Sequence, residues 1–235
     1  MTEGVRGLPK SIKGVIFDLD DTLVLSTVDY AKFKKQVIER VVSYGEDPQL
    51  YNPRETVVNI VARYEKSMHD RKVPEKEIAR RLAELDRIMD TVELENVSET
   101  REIEGAHELL ETLRSRGIKI GILTRGCREY AQSALGVAGL TGMVDAVECR
   151  DSKTKAKPDP ESYLRLVKEL GIPKEATLFV GDHPIDARCA ANAGVPFIAV
   201  ETGDVPRNDL RIAGCVAVFP GVGAMVSWFK KLLGD

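Results

Sequence analysis

Acidic residues, a threonine and a lysine follow four short apolar segments of the chain, and together these side chains could act on a bound anion. The first segment, Gly14–Leu19, carries Asp18 near its end and is followed at once by Asp20. The residues that follow the later segments are Thr124, Arg125, Lys157, Asp182 and Asp186.

The chemistry predicted for these side chains is phosphoryl transfer assisted by Mg²⁺. In a strand, residues two apart point the same way, so Asp18 and Asp20 lie side by side and need a cation between them. Mg²⁺ prefers oxygen ligands and is typically held by one or two carboxylates, and Asp182 could supply a further oxygen. Lys157 can neutralise a bound phosphate, and the Thr124 hydroxyl can donate to its oxygens.

Within this group the two neighbouring aspartates have different predicted roles. Asp18 is the nucleophile, because a carboxylate can form an aspartyl-phosphate. Asp20 protonates the leaving oxygen as a general acid and then activates water as a general base.

The elements that must position these residues alternate between helix and strand after residue 102. This alternation predicts βαβ units and an α/β fold with a parallel sheet covered by helices on both faces. Ligands of such sheets bind outside the carboxyl ends of the strands. The predicted elements are Ala106–Arg116, Lys119–Thr124, Glu129–Leu135, Val144–Cys149, Pro160–Leu170, Thr177–Val180, Arg188–Ala193, Phe197–Glu201, Cys215–Phe219 and Val222–Leu233.

Between the first strand and this alternating part, the chain has the pattern of amphipathic helices. Apolar residues recur at helical spacing from about residue 28 to residue 102, which predicts two to four helices and no strand. We therefore expect an inserted helical domain at residues 27–102 and a catalytic core formed by residues 1–26 and 103–235. The insert is expected to act as a lid with hinges at Leu25–Thr27 and Thr100–Glu104. Its possible substrate contacts, which the sequence does not rank, include Tyr30, Lys34, Arg63 and Tyr64.

Composition argues against several classes of partner. With 34 Lys and Arg against 37 Asp and Glu, the net charge is -3, so no basic field favours nucleic acid or anionic lipid. No apolar run approaches the roughly 20 residues that span a bilayer, and the first ten residues lack a secretory signal, so the expected location is the cytoplasm. The four cysteines form no closely spaced pair, which predicts free and mostly buried thiols.

The motifs resemble those of the haloacid dehalogenase (HAD) superfamily, in order and at consecutive strand ends. The first is Asp18-Leu19-Asp20-Asp21-Thr22-Leu23, with Asp21 where many members carry glycine. The second is Thr124, the third is Lys157-Pro158-Asp159-Pro160, and the fourth is the acidic pair Asp182 and Asp186. The resemblance covers residues 14–24 and 103–200, with the helical insert at the position of a C1-type cap.

The resemblance implies a Rossmann-like α/β core, an all-helical cap and a Mg²⁺-dependent phosphatase acting on a small phosphorylated metabolite. Asp18 would be nucleophile and metal ligand, and Asp20 would be the acid and base, with its main-chain carbonyl on the metal. Thr124 and Lys157 would bind the phosphoryl group, Asp182 would ligate the metal, and Asp186 would lie beside the ligands. Arg125 departs from the asparagine often found in related phosphatases.

Several alternatives stay open from the sequence. Lys153 or Lys155 could take the place assigned to Lys157, and His183 could be a turn residue or a metal ligand. Arg125 could contact phosphate or form a surface ion pair. For the whole protein, the alternatives are a phosphomutase, a phosphonatase or a dehalogenase of the same superfamily, or a non-catalytic regulatory module. The sequence does not indicate an oligomeric state.

Overall fold

The computed structural model describes residues 7–212 and 214–234, in which strands and helices alternate along most of the chain. Its strands are Gly14–Phe17 (β1), Val24–Leu25 (β2), Arg101–Glu102 (β3), Lys119–Leu123 (β4), Ala146–Glu148 (β5), Thr177–Gly181 (β6), Phe197–Val200 (β7) and Ala217–Phe219 (β8). Its helices are Tyr30–Ser43 (α1), Val57–Asp70 (α2), Glu75–Glu95 (α3), Ala106–Ser115 (α4), Arg128–Val137 (α5), Glu161–Glu169 (α6), Pro184–Ala193 (α7), Arg207–Ile212 (α8) and Gly223–Leu232 (α9). The short α8 has no counterpart among the predicted elements.

Six of the strands form one parallel sheet in the order β5-β4-β1-β6-β7-β8. The central strand β1 pairs with β4 on one side and with β6 on the other, so that Gly14 lies opposite both Lys119 and Thr177. A central parallel strand is buried on both faces and is therefore apolar throughout, as Val15, Ile16 and Phe17 are. The predicted α/β class with a parallel sheet is confirmed.

Helices cover both faces of this sheet. On one face, Ile16 and Phe179 share a buried core with residues of α6 and α7, among them Tyr163 and Cys189. Side chains alternate along a strand, so Val15 and Phe17 point to the other face, where α4 packs against β4 and α9 against α4. The strands are therefore held between two helical layers, and their carboxyl ends form one edge.

The chain divides into two units, each with its own interior. One unit comprises Met1–Ser26 and Ser98–Asp235, and we call it the sheet unit; the other is Thr27–Val97, which we call the helical unit. In the helical unit, α1 begins after Asp29, whose side chain accepts from the Lys32 N–H, and α2 begins after Thr56 in the same way. Its core is formed by Phe33, Val37, Val41, Tyr51, Ile60, Tyr64, Met68, Ile78, Leu85, Met89 and Val92.

Tyr30, one of the possible substrate contacts, is the first residue of α1 and is 45% exposed. One detail of the helical pattern was wrong. No strand was predicted between residues 28 and 102, but β3 lies at the end of this range. It pairs antiparallel with β2, with Val24 opposite Glu102. Two residues are too short a run for a periodic pattern to reveal a strand.

Two further observations concern the whole described chain. The four cysteines are free thiols, three of them buried, as the sequence predicted. Among the described residues, no helix combines the length and the apolar character that crossing a membrane requires.

Candidate active site

The predicted residues of the first, second and fourth motifs follow three adjacent strands. Asp18, Thr124 and Asp182 come directly after β1, β4 and β6, which lie side by side at the centre of the sheet. The chain continues the hydrogen bonding by one residue beyond β1, because the Asp18 N–H donates to the Val180 carbonyl at 2.9 Å. Their side chains therefore lie at one edge of the sheet, although Asp18 and Asp182 are more than 160 residues apart in sequence.

Lys157 lies between two carboxylates of this edge. Its Nζ atom is 2.8 Å from Oδ1 of Asp18 and 2.7 Å from Oδ1 of Asp186. Burial alone would lower the pKa of Lys157, but the two carboxylates outweigh that effect and raise it, so the ammonium group stays charged. Lys153 and Lys155, the two sequence alternatives, are exposed and lie outside this cluster.

Three carboxylates crowd together at this point. Oxygens of Asp18, Asp182 and Asp186 all lie within 4.8 Å of one another. Burial raises the pKa of Asp18 to about 6, with a further increase from Asp186, and Lys157 opposes both. Burial and the charge of Asp18 raise the pKa of Asp182 to about 8. This cluster has more negative charge than the single ammonium group can balance.

That donor set fits a hard divalent cation. It consists of carboxylate oxygens, which Mg²⁺ prefers, and it contains neither a thiolate nor an imidazole that would favour zinc. The Thr22 hydroxyl donates to Oδ1 of Asp182 at 3.1 Å and so fixes the orientation of that carboxylate. A cation here would offset the burial and the mutual repulsion that together raise the pKa values of Asp18 and Asp182.

Asp20, the fourth carboxylate of this edge, has hydrogen-bond partners of its own. Its Oδ1 atom accepts from the Tyr130 hydroxyl, and a hydrogen bond from Ser26 also acts on its carboxylate. Burial and the charge of Asp18 raise the pKa of Asp20 to about 7, while these two hydrogen bonds lower it. A carboxyl group with a pKa near neutrality can both donate and accept a proton at physiological pH.

The backbone after β1 turns sharply at the residue where many superfamily members carry glycine. Asp21 has a φ of 51°, in the left-handed region that favours glycine. Two hydrogen bonds stabilise it there, since its N–H donates to the Val24 carbonyl at 2.7 Å and its Oδ1 accepts from the Ser26 N–H at 3.1 Å. Aspartate tolerates this conformation better than most residues because its side chain can bond locally.

Thr124 and Arg125 lie in the turn between β4 and α5. Thr124 is almost fully buried, and its hydroxyl oxygen accepts from the Gly126 N–H at 3.0 Å, which leaves the hydroxyl proton available to a ligand. The Arg125 side chain is half-buried, and its carbonyl accepts from Nη1 of Arg150 at 3.0 Å.

His183 caps a helix. Its Nδ1 atom accepts from the Ile185 N–H at 3.1 Å, and its own N–H donates to Asp186 at 3.3 Å, so the pair forms the cap at the start of α7. Burial and the charge of Arg125 lower the pKa of His183. This geometry agrees with the turn-residue alternative.

Sequence reasoning missed Tyr130, Ser26 and Thr22 as neighbours of the site. Tyr130 looks like a core residue on the buried face of α5, and nothing in its spacing distinguishes it from one. Gly203 was missed as well: a Cβ atom there would lie 2.1 Å from Oδ2 of Asp182, so a side chain at this position would force that carboxylate to move.

Comparison with known proteins identifies the family. A family model described as "Haloacid dehalogenase-like hydrolase" matches residues 15–200, which includes all four motifs. The chain belongs to the haloacid dehalogenase-like hydrolase family. The resemblance seen in the motifs is therefore confirmed, as is the expectation that the protein is a hydrolase of the phosphatase type.

Relatives of this hydrolase differ in the substrate named for them. A phosphoglycolate phosphatase of Rhodospirillum rubrum is 28% identical, with 95% of this chain and 94% of the relative aligned. A pyrophosphatase PpaX of Oceanobacillus iheyensis is 26% identical, over 81% of this chain and 84% of the relative. Among solved structures, a hydrolase from Pseudomonas syringae has the same fold, with a TM-score of 0.65, 21% identity and coverage of 94% of this chain and 99% of that one.

Proposed function

We propose that this hydrolase is a Mg²⁺-dependent phosphatase that acts on a small phosphorylated metabolite through an aspartyl-phosphate. The observation that carries the proposal is the buried arrangement of Lys157 against Asp18 and Asp186, with Asp182 within 4.8 Å of both carboxylates. A lysine and a cation site that share one carboxylate suit an anionic substrate, because they offset the substrate's charge where it must approach an anionic nucleophile.

The oxygen of Asp18 proposed to attack phosphorus is Oδ2. Its Oδ1 atom already accepts from the Leu19 N–H at 2.9 Å and faces Lys157 at 2.8 Å. These contacts fix the plane of the carboxylate, so its second oxygen is presented in one direction. The bond between Oδ2 and phosphorus forms as the bond from phosphorus to the leaving oxygen breaks.

Asp20 moves the proton in both halves of the reaction. It first gives its proton to the leaving oxygen, which departs as an alcohol. As a carboxylate, it then takes a proton from the water that attacks the aspartyl-phosphate, which releases inorganic phosphate and restores Asp18. Its pKa near 7 suits both directions of transfer.

The remaining residues bind and balance charge. Asp18, Asp182 and the main-chain carbonyl of Asp20 would hold Mg²⁺, with Asp186 beside them. When bound, the ion supplies positive charge that stabilises the phosphoryl oxygens during transfer. Lys157, the Thr124 hydroxyl and Arg125 are the proposed phosphoryl contacts. The roles of the helical unit as a lid and as the source of specificity stay predictions, as does the cytoplasmic location.

The test is a phosphate-release screen over sugar phosphates, nucleotides, phosphoamino acids, phosphoglycolate and pyrophosphate. We expect release from at least one class, loss of release on addition of a chelator, and recovery with Mg²⁺. Rapid quenching followed by intact mass measurement should detect a phosphorylated protein whose modified peptide contains Asp18. Inactivity over the whole panel despite measurable Mg²⁺ binding would favour a regulatory module, and release of halide from haloacids would favour a dehalogenase.

A further inference from the structure

The fully buried side chain of Tyr130 is hydrogen-bonded to Asp20, the proposed acid and base, and Tyr130 belongs to none of the four motifs. Tyr130 lies in the first turn of α5, 110 residues from Asp20, and its hydroxyl donates to Oδ1 of Asp20. A tyrosine buried in a core normally needs a partner for its hydroxyl, and here that partner is the carboxylate of Asp20, two residues after the proposed nucleophile.

The local sequence is arranged so that this ring reaches the site. Cys127 caps α5, with its sulfur accepting from the Tyr130 N–H at 3.4 Å, which fixes the rotation of the first turn. Gly126 supplies the space: a Cβ atom at this position would lie 2.7 Å from Cδ1 of Tyr130. The ring therefore packs directly on the backbone of the turn that also carries Thr124.

We propose that Tyr130 is a positioning residue that orients the carboxyl group of Asp20 and determines which of its oxygens carries the transferable proton. Because the tyrosine hydroxyl donates to Oδ1, the proton of the neutral acid belongs on Oδ2. That proton passes to the leaving oxygen as its bond to phosphorus breaks and the bond from Asp18 forms. The inference rests on the proposed function, since it assigns a role within that reaction.

Two other readings of the same contact predict different behaviour. If Tyr130 only fills the core, its hydroxyl contributes to stability and not to proton transfer. If Ser26, the second hydrogen-bonding neighbour of Asp20, is sufficient to orient the carboxyl group, removal of the tyrosine hydroxyl has no kinetic effect.

The experiment compares two variants that each remove one buried tyrosine hydroxyl. Tyr130→Phe deletes the bond to Asp20 and keeps the ring. Tyr163→Phe is the matched control, because Tyr163 is also fully buried and its hydroxyl is hydrogen-bonded to the Thr177 hydroxyl at 2.8 Å. Thr177 is the first residue of β6 and lies at the opposite end of that strand from Asp182. Both proteins are first checked by thermal melting for a folded state.

The readout is kcat/KM for alkyl phosphates and for p-nitrophenyl phosphate. An alkoxide must be protonated as it leaves, whereas p-nitrophenolate departs with little help, so only the alkyl series depends on a well-placed acid. A positioned acid contributes roughly 10²–10⁴-fold to rate, and we expect Tyr130→Phe to lose about tenfold on alkyl phosphates and less than about threefold on the aryl ester. Tyr163→Phe should show no difference between the two substrates.

Equal losses on both substrates, or no loss on alkyl phosphates, would overturn the proposal. Asp18→Asn separates this failure from that of the proposed function: if that variant still releases phosphate, the mechanism itself is wrong. A crystal structure of Tyr130→Phe gives a second, activity-independent result, in which the Asp20 carboxyl group should be rotated or disordered. An unchanged carboxyl group would count against a positioning role.

Discussion

The two units of this protein place their charges in different ways. At the edge of the sheet unit, Lys157 and Asp186 are almost completely buried, and Lys157 forms ion pairs with Asp186 at 2.7 Å and with Asp18 at 2.8 Å. In the helical unit, the ion pairs lie largely on the surface: Lys32 and Glu95 form one whose side chains are 40% and 35% exposed. Both regions are rich in charge, but solvent screens the exposed ion pairs of the helical unit far more strongly than the buried pairs of Lys157.

These buried charges are those of the proposed active site, whereas the exposed charges interact mainly with water. A buried charge must be balanced by a fixed partner of opposite charge. A cluster with more carboxylates than ammonium groups is therefore stabilised by binding a cation from solution. An exposed pair contributes little, because water and salt already stabilise each partner. Comparable substitutions in the two units should therefore have very unequal effects.

The largest expected effect is on catalysis. Asp18→Asn removes the proposed nucleophile, and phosphate release should fall by at least about 10⁴-fold. Asp70→Asn is the control in the helical unit, where Asp70 pairs with Lys66 on the surface of α2, and its rate should stay within about twofold of the native protein. Comparable losses in the two variants, measured under saturating Mg²⁺, would remove the distinction between the regions.

The next effect is on folding stability. Lys157→Met leaves Asp18 and Asp186 without their buried counter-charge, so the free energy of unfolding should fall by about 3–5 kcal/mol in chelator. Lys32→Met deletes one partner of an exposed pair and should shift the melting temperature by no more than about 2 °C. Denaturant titration of both proteins measures the contrast, and a native-like midpoint for Lys157→Met would contradict it.

A smaller effect of opposite sign is expected at Asp182. Asp182→Asn keeps an oxygen that can accept from Thr22 but removes one of three mutually repelling carboxylates, so the chelated protein should gain about 1–2 kcal/mol of stability. Addition of Mg²⁺ should raise the melting temperature of the native protein more than that of the variant. If the ion stabilises both equally, Asp182 is not one of its ligands.

The smallest effect concerns the surface network of α3. Hydrogen bonds from Arg80 and Arg81 lower the pKa of Glu77 to about 2, so any stability they give is present above the usual glutamate pKa and is lost as the pH falls towards 2. The Glu77 side chain is partly exposed to solvent, and Glu77→Gln should change the melting temperature at pH 7 by no more than about 2 °C. The difference should shrink at high salt and disappear near pH 2, and a larger, salt-resistant change would show that exposed pairs matter more here than the comparison assumes.

Most of the fold could be predicted because its signals are local. The β-branched and apolar run at Val15–Phe17 indicates a buried strand, and three glycines that directly follow predicted helices have the positive φ typical of helix ends: Gly117, Gly171 and Gly194. Strand order then brings Asp18, Thr124 and Asp182 to one edge without any knowledge of side-chain contacts.

What the sequence could not predict depends on contacts between distant residues. The bond from Tyr130 to Asp20 requires the space left by Gly126, and the bond from Thr22 to Asp182 joins residues 160 apart. The burial of Asp186 against Lys157 is equally non-local. No periodic pattern contains this information, because each contact is determined by how the strands are packed.

The antiparallel pairing of β2 with β3 has a consequence for the evolution of the sequence between them. Leu25 lies opposite Arg101, so the points where the chain leaves the sheet unit and returns to it are about 5 Å apart. The entropic cost of closing a segment between such points grows only with the logarithm of its length. Insertions, deletions and wholesale replacement between residues 27 and 97 therefore cost little at this junction, and that stretch is free to diversify while the reacting groups keep their places.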